Sequence, residues 1–540
     1  MDLALDDVFL GREEIRDTLE KRVQAFLKGY RQNVSLIGAR TIGKTSLVFH
    51  FLRTLQDPQL IPVYVAVSRE PFVFFAQKFM GSLIAGFLRS QNEPVSVDFK
   101  DMIERSNRWI PKTLKKMSEV KKSFSKDDPC GSFRDLLALT DFLCEESGKK
   151  ILLVLDNFDL LGEFGLRDPF RELGKAIMLQ KNTLYFVVSS RIERSREILR
   201  EKLSLLFGNF EVIELETFDF STCDLFLARQ VPGVRFSDVQ KKFLFELTDG
   251  HPYFFSALIR DMREHLPPPS EELLPDGVLI DALERELYRE DGGLYRYFLN
   301  LLCDLGRARN FHLSLRVLLA VALGHKKYHA IAKHIGEKAG DIKNTLSRLT
   351  EEEILAKKGS FFTFRLPLFS FWLRQVYQRK EWNFLLDLEL PRTAFREEVF
   401  ALIRKRGEEE KKELLKRMEE LFRKFRNDVI EIDTKKLKCP HFTEVFFKPS
   451  NGRVFPVEAK SGSSRWICQV AYKKVIEEDV RLFTQDIGRL KSNVQKRILI
   501  ALEGIELNAK ILAKEANIML WGLRNVNSLL DLYDSPKVVL

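Results

Sequence analysis

The 540 residues predict an α/β chain: a parallel sheet with helices on both faces, then a mostly helical stretch, then a separate small α/β domain. Three observations carry this. Apolar, β-branched runs alternate with helical stretches through roughly the first 215 residues, the order of parallel strands joined by crossover helices. Strand signals thin out from about residue 220 to 390. After Pro391 one long charged helix leads into a new set of strands. Hydrophobic residues make up 45% and charged residues 30%, a globular balance that excludes a disordered, collagen-like or fibrous chain. At roughly 100–200 residues per domain, the length predicts three or four domains.

The elements follow in order. SLIGARTIGKTSLVFHFL reads as strand, glycine loop, helix, and IPVYVAV as a strand. KKILLVLDNFD is an apolar run ending in acids, TLYFVVSSR one ending in Ser and Arg, and EVIELE a further strand. Between them, residues 91–131 break the pattern and carry Lys112, Lys115, Lys116, Lys121, Lys122 and Lys126. This is a basic, mostly helical insertion, either a solvated face or a phosphate-contacting arm. The predicted domains are an α/β core at 1–219, a helical lid at 220–300, a winged helix at 301–390, and a last domain at 391–540. The winged helix is read from the order helix, turn near 336–340, helix, then the hairpin AKKGSFFTFRL. Residues 341–349 sit where a recognition helix would. Lys343, Asn344 and Arg348 face a groove of DNA in one reading, with Lys357 and Lys358 in the wing. In the other reading the module is a latch on the core. Ile342, Leu346 and Leu349 fall at core spacing.

Gly38-Ala39-Arg40-Thr41-Ile42-Gly43-Lys44-Thr45 is GxxxxGK[TS], a P-loop in the strand-to-helix setting that motif requires. Its backbone N–H groups and the following helix N-terminus, with Ser46, suit phosphate oxygens. Lys44 would reach the β- and γ-phosphates of ATP, and Thr45 would ligand Mg²⁺. Asp156, at the end of its apolar strand, is placed to hold the same ion. Asp159 could orient the attacking water, although Asn157 leaves the catalytic base open. Arg191 either stabilises charge at the γ-phosphate or forms a structural ion pair.

These motifs reach a resemblance. Phe9-Leu10-Gly11-Arg12-Glu13, the strand ends LLVLDNFD and VVSSR, Gly250-His251-Pro252 and the segment LPLFSFWLR resemble, in order and spacing, the STAND-class ATPases, archaeal-type members in particular, over about residues 5–380. The resemblance implies that Gly11 and Arg12 border the adenine, and that His251 and Pro252 lie near the base or the phosphates. It also implies a switch: ADP holds a closed form, and ATP opens it for self-association into a homo-oligomer.

In the last domain, Val457-Glu458-Ala459-Lys460 ends a strand as ExK, and Glu444 opens the strand EVFF. Two acids on adjacent strands plus a lysine are a donor set for Mg²⁺ and phosphodiester cleavage. Glu444 and Glu458 would be the metal ligands and Lys460 the charge stabiliser, with Glu397 and Glu398 on the opening helix. Asp433 competes with Glu444. With a turn at Asn451-Gly452 and Gln469 on the following helix, the order resembles the PD-(D/E)xK nuclease family over about residues 393–540. Glu stands where that family usually has Asp, so a non-catalytic binding domain remains the alternative.

Lys+Arg 87 against Asp+Glu 77 gives +10, which points to an anionic partner such as DNA. The six cysteines form no CxxC pair. MDLALDD lacks a signal peptide's basic start. Apolar stretches such as 317–323 are too short to span a bilayer, so the expectation is a cytoplasmic protein with no membrane partner.

Overall fold

The structure is a computed structural model that describes residues 10–124, 129–203, 210–266, 273–306, 310–381, 389–432, 435–447, 457–462, 464–488 and 494–539. Phe9, Lys126, Asp433, Asn451 and Gly452 lie outside the described residues. The chain divides into two compact units, Met1–Phe218 and Asp219–Leu540.

The first unit is built on β1 (Asn33–Gly38), β2 (Leu60–Ala66), β3 (Lys150–Asp156), β4 (Thr183–Ser189) and β5 (Phe210–Leu215). They form one sheet in the order β2-β3-β4-β1-β5, and every pair is parallel. β1 and β4 are buried along their whole length, as strands covered on both faces must be. Alternation sends Leu152 and Val154 to one face, with Val34, Leu36 and Phe186. Helices Glu13–Leu27 and Lys44–Thr54 cover that face through Leu19, Val23, Leu47 and Phe51. Ile151, Leu153, Leu155 and Val187 face the other way, onto a larger cluster. Each such fully buried side chain stabilises the fold by about 1.5–3 kcal/mol.

The basic stretch holds helices Phe99–Ser106 and Pro111–Ser123. Helix Pro111–Ser123 buries Thr113, Leu114, Met117 and Val120 and exposes Lys112, Lys115, Lys121 and Lys122, with Lys116 half-buried. Glu146 caps it by accepting from the backbone N–H groups of Lys112 (2.8 Å) and Thr113 (2.7 Å).

One apolar helix is longer than expected. Phe72–Ser90 has 19 residues and the length and composition to cross a membrane. Here it is a core helix whose Phe75, Phe79, Leu83 and Phe87 pack on the sheet. A Cβ at Gly86 would stand 2.6 Å from the Pro62 carbonyl oxygen, so this crossing requires glycine.

The second unit begins with helices, among them Asp238–Thr248, Pro252–His265 and Phe311–Ala322. Helices Tyr328–Ile335 and Ala339–Glu351 follow, joined through Gly336 at φ +74°. The antiparallel hairpin β6 (Leu355–Lys358) and β7 (Phe361–Phe364) comes next. Ile342, Leu346 and Leu349 are buried as their spacing predicts. Lys343 and Asn344 are exposed, but Arg348 turns inward to the Ser314 hydroxyl on helix Phe311–Ala322. Lys357 is exposed, whereas Lys358 bonds Ser528 at 3.1 Å.

The last part departs from the sequence reading in three places. The charged stretch expected as one long helix is two, Glu389–Glu410 and Leu414–Arg423. Glu397 is exposed on the first of them, and Glu398 pairs with Arg374 and Arg379, each at 3.9 Å. It is the second helix that packs on the strand Glu444–Phe447, with Met418, Leu421 and Phe422 in the core. Next, β8 (Asp428–Ile432) pairs with β9 (Lys435–Cys439) as a separate ribbon. The main sheet runs β10 (Glu444–Phe447), β11 (Val457–Ser461), β12 (Ser464–Ala471), β13 (Lys496–Ala501), β14 (Met519–Gly522). β10-β11 and β11-β12 are antiparallel; β12-β13 and β13-β14 are parallel. Gln469 therefore lies on a third strand, opposite Leu499, and not on a helix. Its strand is held by Trp466, Cys468 and Val470, whose period of two buries one face.

Candidate functional site

Strand parity builds the first site. Asp156 continues the face of Leu152 and Val154, the face that helix Lys44–Thr54 covers, so its carboxylate meets that helix's first turn. Thr45 Oγ1 donates to Asp156 Oδ2 at 2.8 Å, and Tyr64 OH donates to the same oxygen at 2.8 Å. The Asn157 backbone N–H holds Oδ1 at 2.9 Å, with Asn157 in the left-handed region at φ +56°. Asp156 is 4% exposed.

The loop before the helix is shaped by its glycines. Gly38 is packed so closely that a Cβ would stand 2.8 Å from the Leu215 carbonyl oxygen. Gly43, at φ +97°, caps the helix and faces open space. Thr41 is also left-handed, at φ +57°, a conformation that costs a non-glycine residue about 1–3 kcal/mol and is kept where the fold over-determines it. Ile42 is buried and anchors the loop, and Thr41 is exposed with Ala39, Arg40 and Ser46 between these extremes. Lys44 is buried, and its Nζ donates to the carbonyls of Gly38 (2.9 Å) and Ala39 (2.7 Å). The result is a positively charged cradle at a helix N-terminus, a chemistry that accepts phosphate. Thr45 Oγ1 and Asp156 Oδ2 are hard oxygens side by side, the donor type for Mg²⁺ that also binds substrate phosphate.

At the neighbouring strand end, Ser189 donates to Asp159 Oδ1 at 2.6 Å. Burial raises the Asp159 carboxyl above its usual range, although Ser189 and Arg191 act to lower it. Arg191 Nη1 lies 3.7 Å from Asp159 Oδ2 and 3.1 Å from Glu163 Oε1, and Glu163 also pairs with Arg69 at 3.0 Å. Arg191 is thus engaged in an ion-pair network in this structure.

Gly11, at φ +72°, precedes Arg12, which begins helix Glu13–Leu27. Arg12 donates to the Glu216 carbonyl and lies 4.9 Å over the Phe218 ring. Burial lowers its guanidinium below the usual range. His251 and Pro252 belong to the second unit. His251 is buried with its ring stacked 4.3 Å from Phe254, and Pro252 opens helix Pro252–His265.

In the C-terminal sheet the register sets Glu444 opposite Lys460 and Phe446 opposite Glu458. Glu444 is exposed. Glu458 is 3% exposed, with Oε1 at 2.6 Å from Arg465 Nε and 3.4 Å from Lys460 Nζ. Among the described residues, no group of three or more His, Cys, Asp or Glu could hold a metal ion.

Sequence reasoning missed Tyr64 and Arg465. Tyr64 lies in a strand with no motif, and Arg465 acts only because β12 pairs with β11. Cross-strand register is not visible in local spacing.

A parallel sheet with a P-loop after its fourth-placed strand and an acid at the end of β3 defines a P-loop nucleotide hydrolase. Residues 8–181 match the family described as AAA ATPase domain. The first unit is a P-loop ATPase. No curated protein matches the chain in sequence. Among solved structures, a Walker-type ATPase of Pyrococcus abyssi is similar at 17% identity and TM-score 0.47, covering 68% of this chain and 96% of that one. The Aeropyrum pernix ORC2 protein aligns at 12% identity and TM-score 0.41, covering 70% and 98%. The Aeropyrum pernix ORC1 protein in complex with DNA aligns at 15% identity and TM-score 0.36, covering 68% and 93%.

Proposed function

We propose that the chain hydrolyses ATP to ADP and phosphate with Mg²⁺, and uses the difference between the two nucleotides as a STAND-type switch. The observation that carries this is the convergence of Lys44, Thr45 and Asp156 on one open cradle. In this reading Gly38 to Ser46 hold the phosphates, Thr45 and Asp156 hold Mg²⁺, and Asp159 orients water. Arg191 leaves Asp159 and Glu163 to meet the γ-phosphate, so its ion pairs belong to the state before ATP arrives. Gly11 and Arg12 border the base; the order of the motifs supports this role. ATP-dependent homo-oligomers and a DNA partner complete the reading, which the +10 charge favours. The helical lid, winged helix and last α/β domain are proposed as separate functional parts of the second unit.

Phosphate release tests the core of it. Lys44→Ala is expected to lower the Mg²⁺-ATP hydrolysis rate by about a hundredfold or more, since the transferring charge loses its fixed cation. Wild-type turnover in that variant would sink the assignment.

For the C-terminal domain a specific observation favours binding over cleavage. A nuclease needs Glu444 and Glu458 free for metal and Lys460 for charge. Glu458 is buried against Arg465 and Lys460, two cations that repel a divalent ion from its oxygen. We therefore expect no Mg²⁺- or Mn²⁺-dependent cutting of linear, single-stranded or branched DNA, with or without ATP. Cutting that disappears in a Glu458→Ala/Lys460→Ala variant would restore the nuclease reading.

A further inference from the structure

We propose that Tyr64 is a positioning residue for the metal site: its hydroxyl holds the Asp156 carboxylate in the orientation that binds Mg²⁺ with the nucleotide. This rests on the reading that Asp156 holds the ion.

The arrangement is specific. Tyr64 stands on β2, the edge strand beside β3, and its ring shares the face of the P-loop helix. Phe49, on that helix, lies 4.6 Å from the Tyr64 ring and fixes where the phenol points. The hydroxyl reaches Asp156 Oδ2 at 2.8 Å, the oxygen that Thr45 also reaches at 2.8 Å. A carboxylate oxygen offers only acceptor lone pairs, so the phenol O–H is the donor in this bond. Thr45 Oγ1 would bind a cation through a lone pair and keep its O–H for Asp156, so Thr45, the Asn157 N–H and the Tyr64 hydroxyl together keep the carboxylate from rotating, and of the three only the Tyr64 hydroxyl lies outside the P-loop and the strand end itself. Supporting donors of this kind typically change metal affinity by about 10–100-fold when removed.

The test measures binding, not turnover. Wild type and Tyr64→Phe, which lacks one oxygen and keeps the ring on Phe49, are titrated with a fluorescent non-hydrolysable ATP analogue. One series is in EDTA and one follows increasing Mg²⁺. The expected result is an unchanged affinity in EDTA and a Mg²⁺ midpoint raised by about tenfold. An unchanged midpoint overturns the proposal. So does an equal loss with and without Mg²⁺, which marks a packing residue. Asp156→Asn separates the two readings. If its midpoint moves while that of Tyr64→Phe does not, Tyr64 alone is wrong. If neither moves, the metal assignment of Asp156 fails, and Tyr64 with it.

Discussion

Burial acts against Asp159, while the Ser189 hydroxyl and the Arg191 guanidinium act for its charge, and burial wins. A carboxyl raised in the folded state binds its proton more tightly than in the unfolded chain. Unfolding free energy therefore falls as pH rises from the unfolded value of about 4 through the raised folded value, and levels off above it. Asp159→Asn keeps an oxygen for Ser189 and removes the titration. Urea midpoints of wild type should decline across that window while those of the variant stay flat. Parallel profiles would mean that Asp159 is not under this strain. At this scale the P-loop was legible, because its glycines, lysine and threonine are adjacent in the chain. The partners of Asp156 and Glu458 were not: Tyr64 and Arg465 arrive from neighbouring strands.

The elements were legible where apolar periodicity is strong and local. β1 to β5 and the P-loop helix follow the runs that predict them. The misses came from charged or interrupted sequence. Lys411 to Glu413 divide the expected long helix, and the strand carrying Gln469 was read as a helix. The β6–β7 hairpin shows what local pattern omits. Ser360 N–H donates to the Val429 carbonyl at 2.7 Å, and a Cβ at Gly359 would stand 2.2 Å from that oxygen. The β6–β7 hairpin tip is thus seated on the β8 strand of the C-terminal ribbon, with Lys327 paired to Asp428 beside it. Gly359 also has φ +68°. Gly359→Ala should cost about 1–3 kcal/mol, from the left-handed backbone alone, and more from the contact. Thermal melting of the second unit would register it, and an unchanged melt would mean that the hairpin tip does not seat on β8 in solution.

Within the second unit, the last residues join distant parts of the chain. Arg406 donates to the Lys537 carbonyl at 2.6 Å, Lys537 N–H donates to Glu246 at 2.7 Å, and its Nζ pairs with Asp249. Asn527 exchanges two hydrogen bonds with the Val538 backbone, at 2.8 and 2.7 Å. Lys537→Met is expected to lower the stability of this unit by about 1 kcal/mol, a modest value because Asp249 is partly solvated. A urea midpoint equal to wild type would show the Lys537–Asp249 pair to be dispensable. Several of the 44 phenylalanines pack ring to ring within each unit. Phe72, Phe75, Phe124, Phe133 and Phe164 form one ring-to-ring cluster in the first unit. Phe422, Phe425 and Phe442 form another around Trp466 in the second. By itself, the sequence determined the α/β class, the parallel strands and the phosphate loop, because apolar period and turn chemistry act between residues close in the chain. Only the tertiary structure decided which side chain stands beside each carboxylate. Strand register and helix crossing bring those groups together from more than ninety residues away, in the case of Tyr64 and Asp156, and from adjacent strands in that of Glu458 and Arg465.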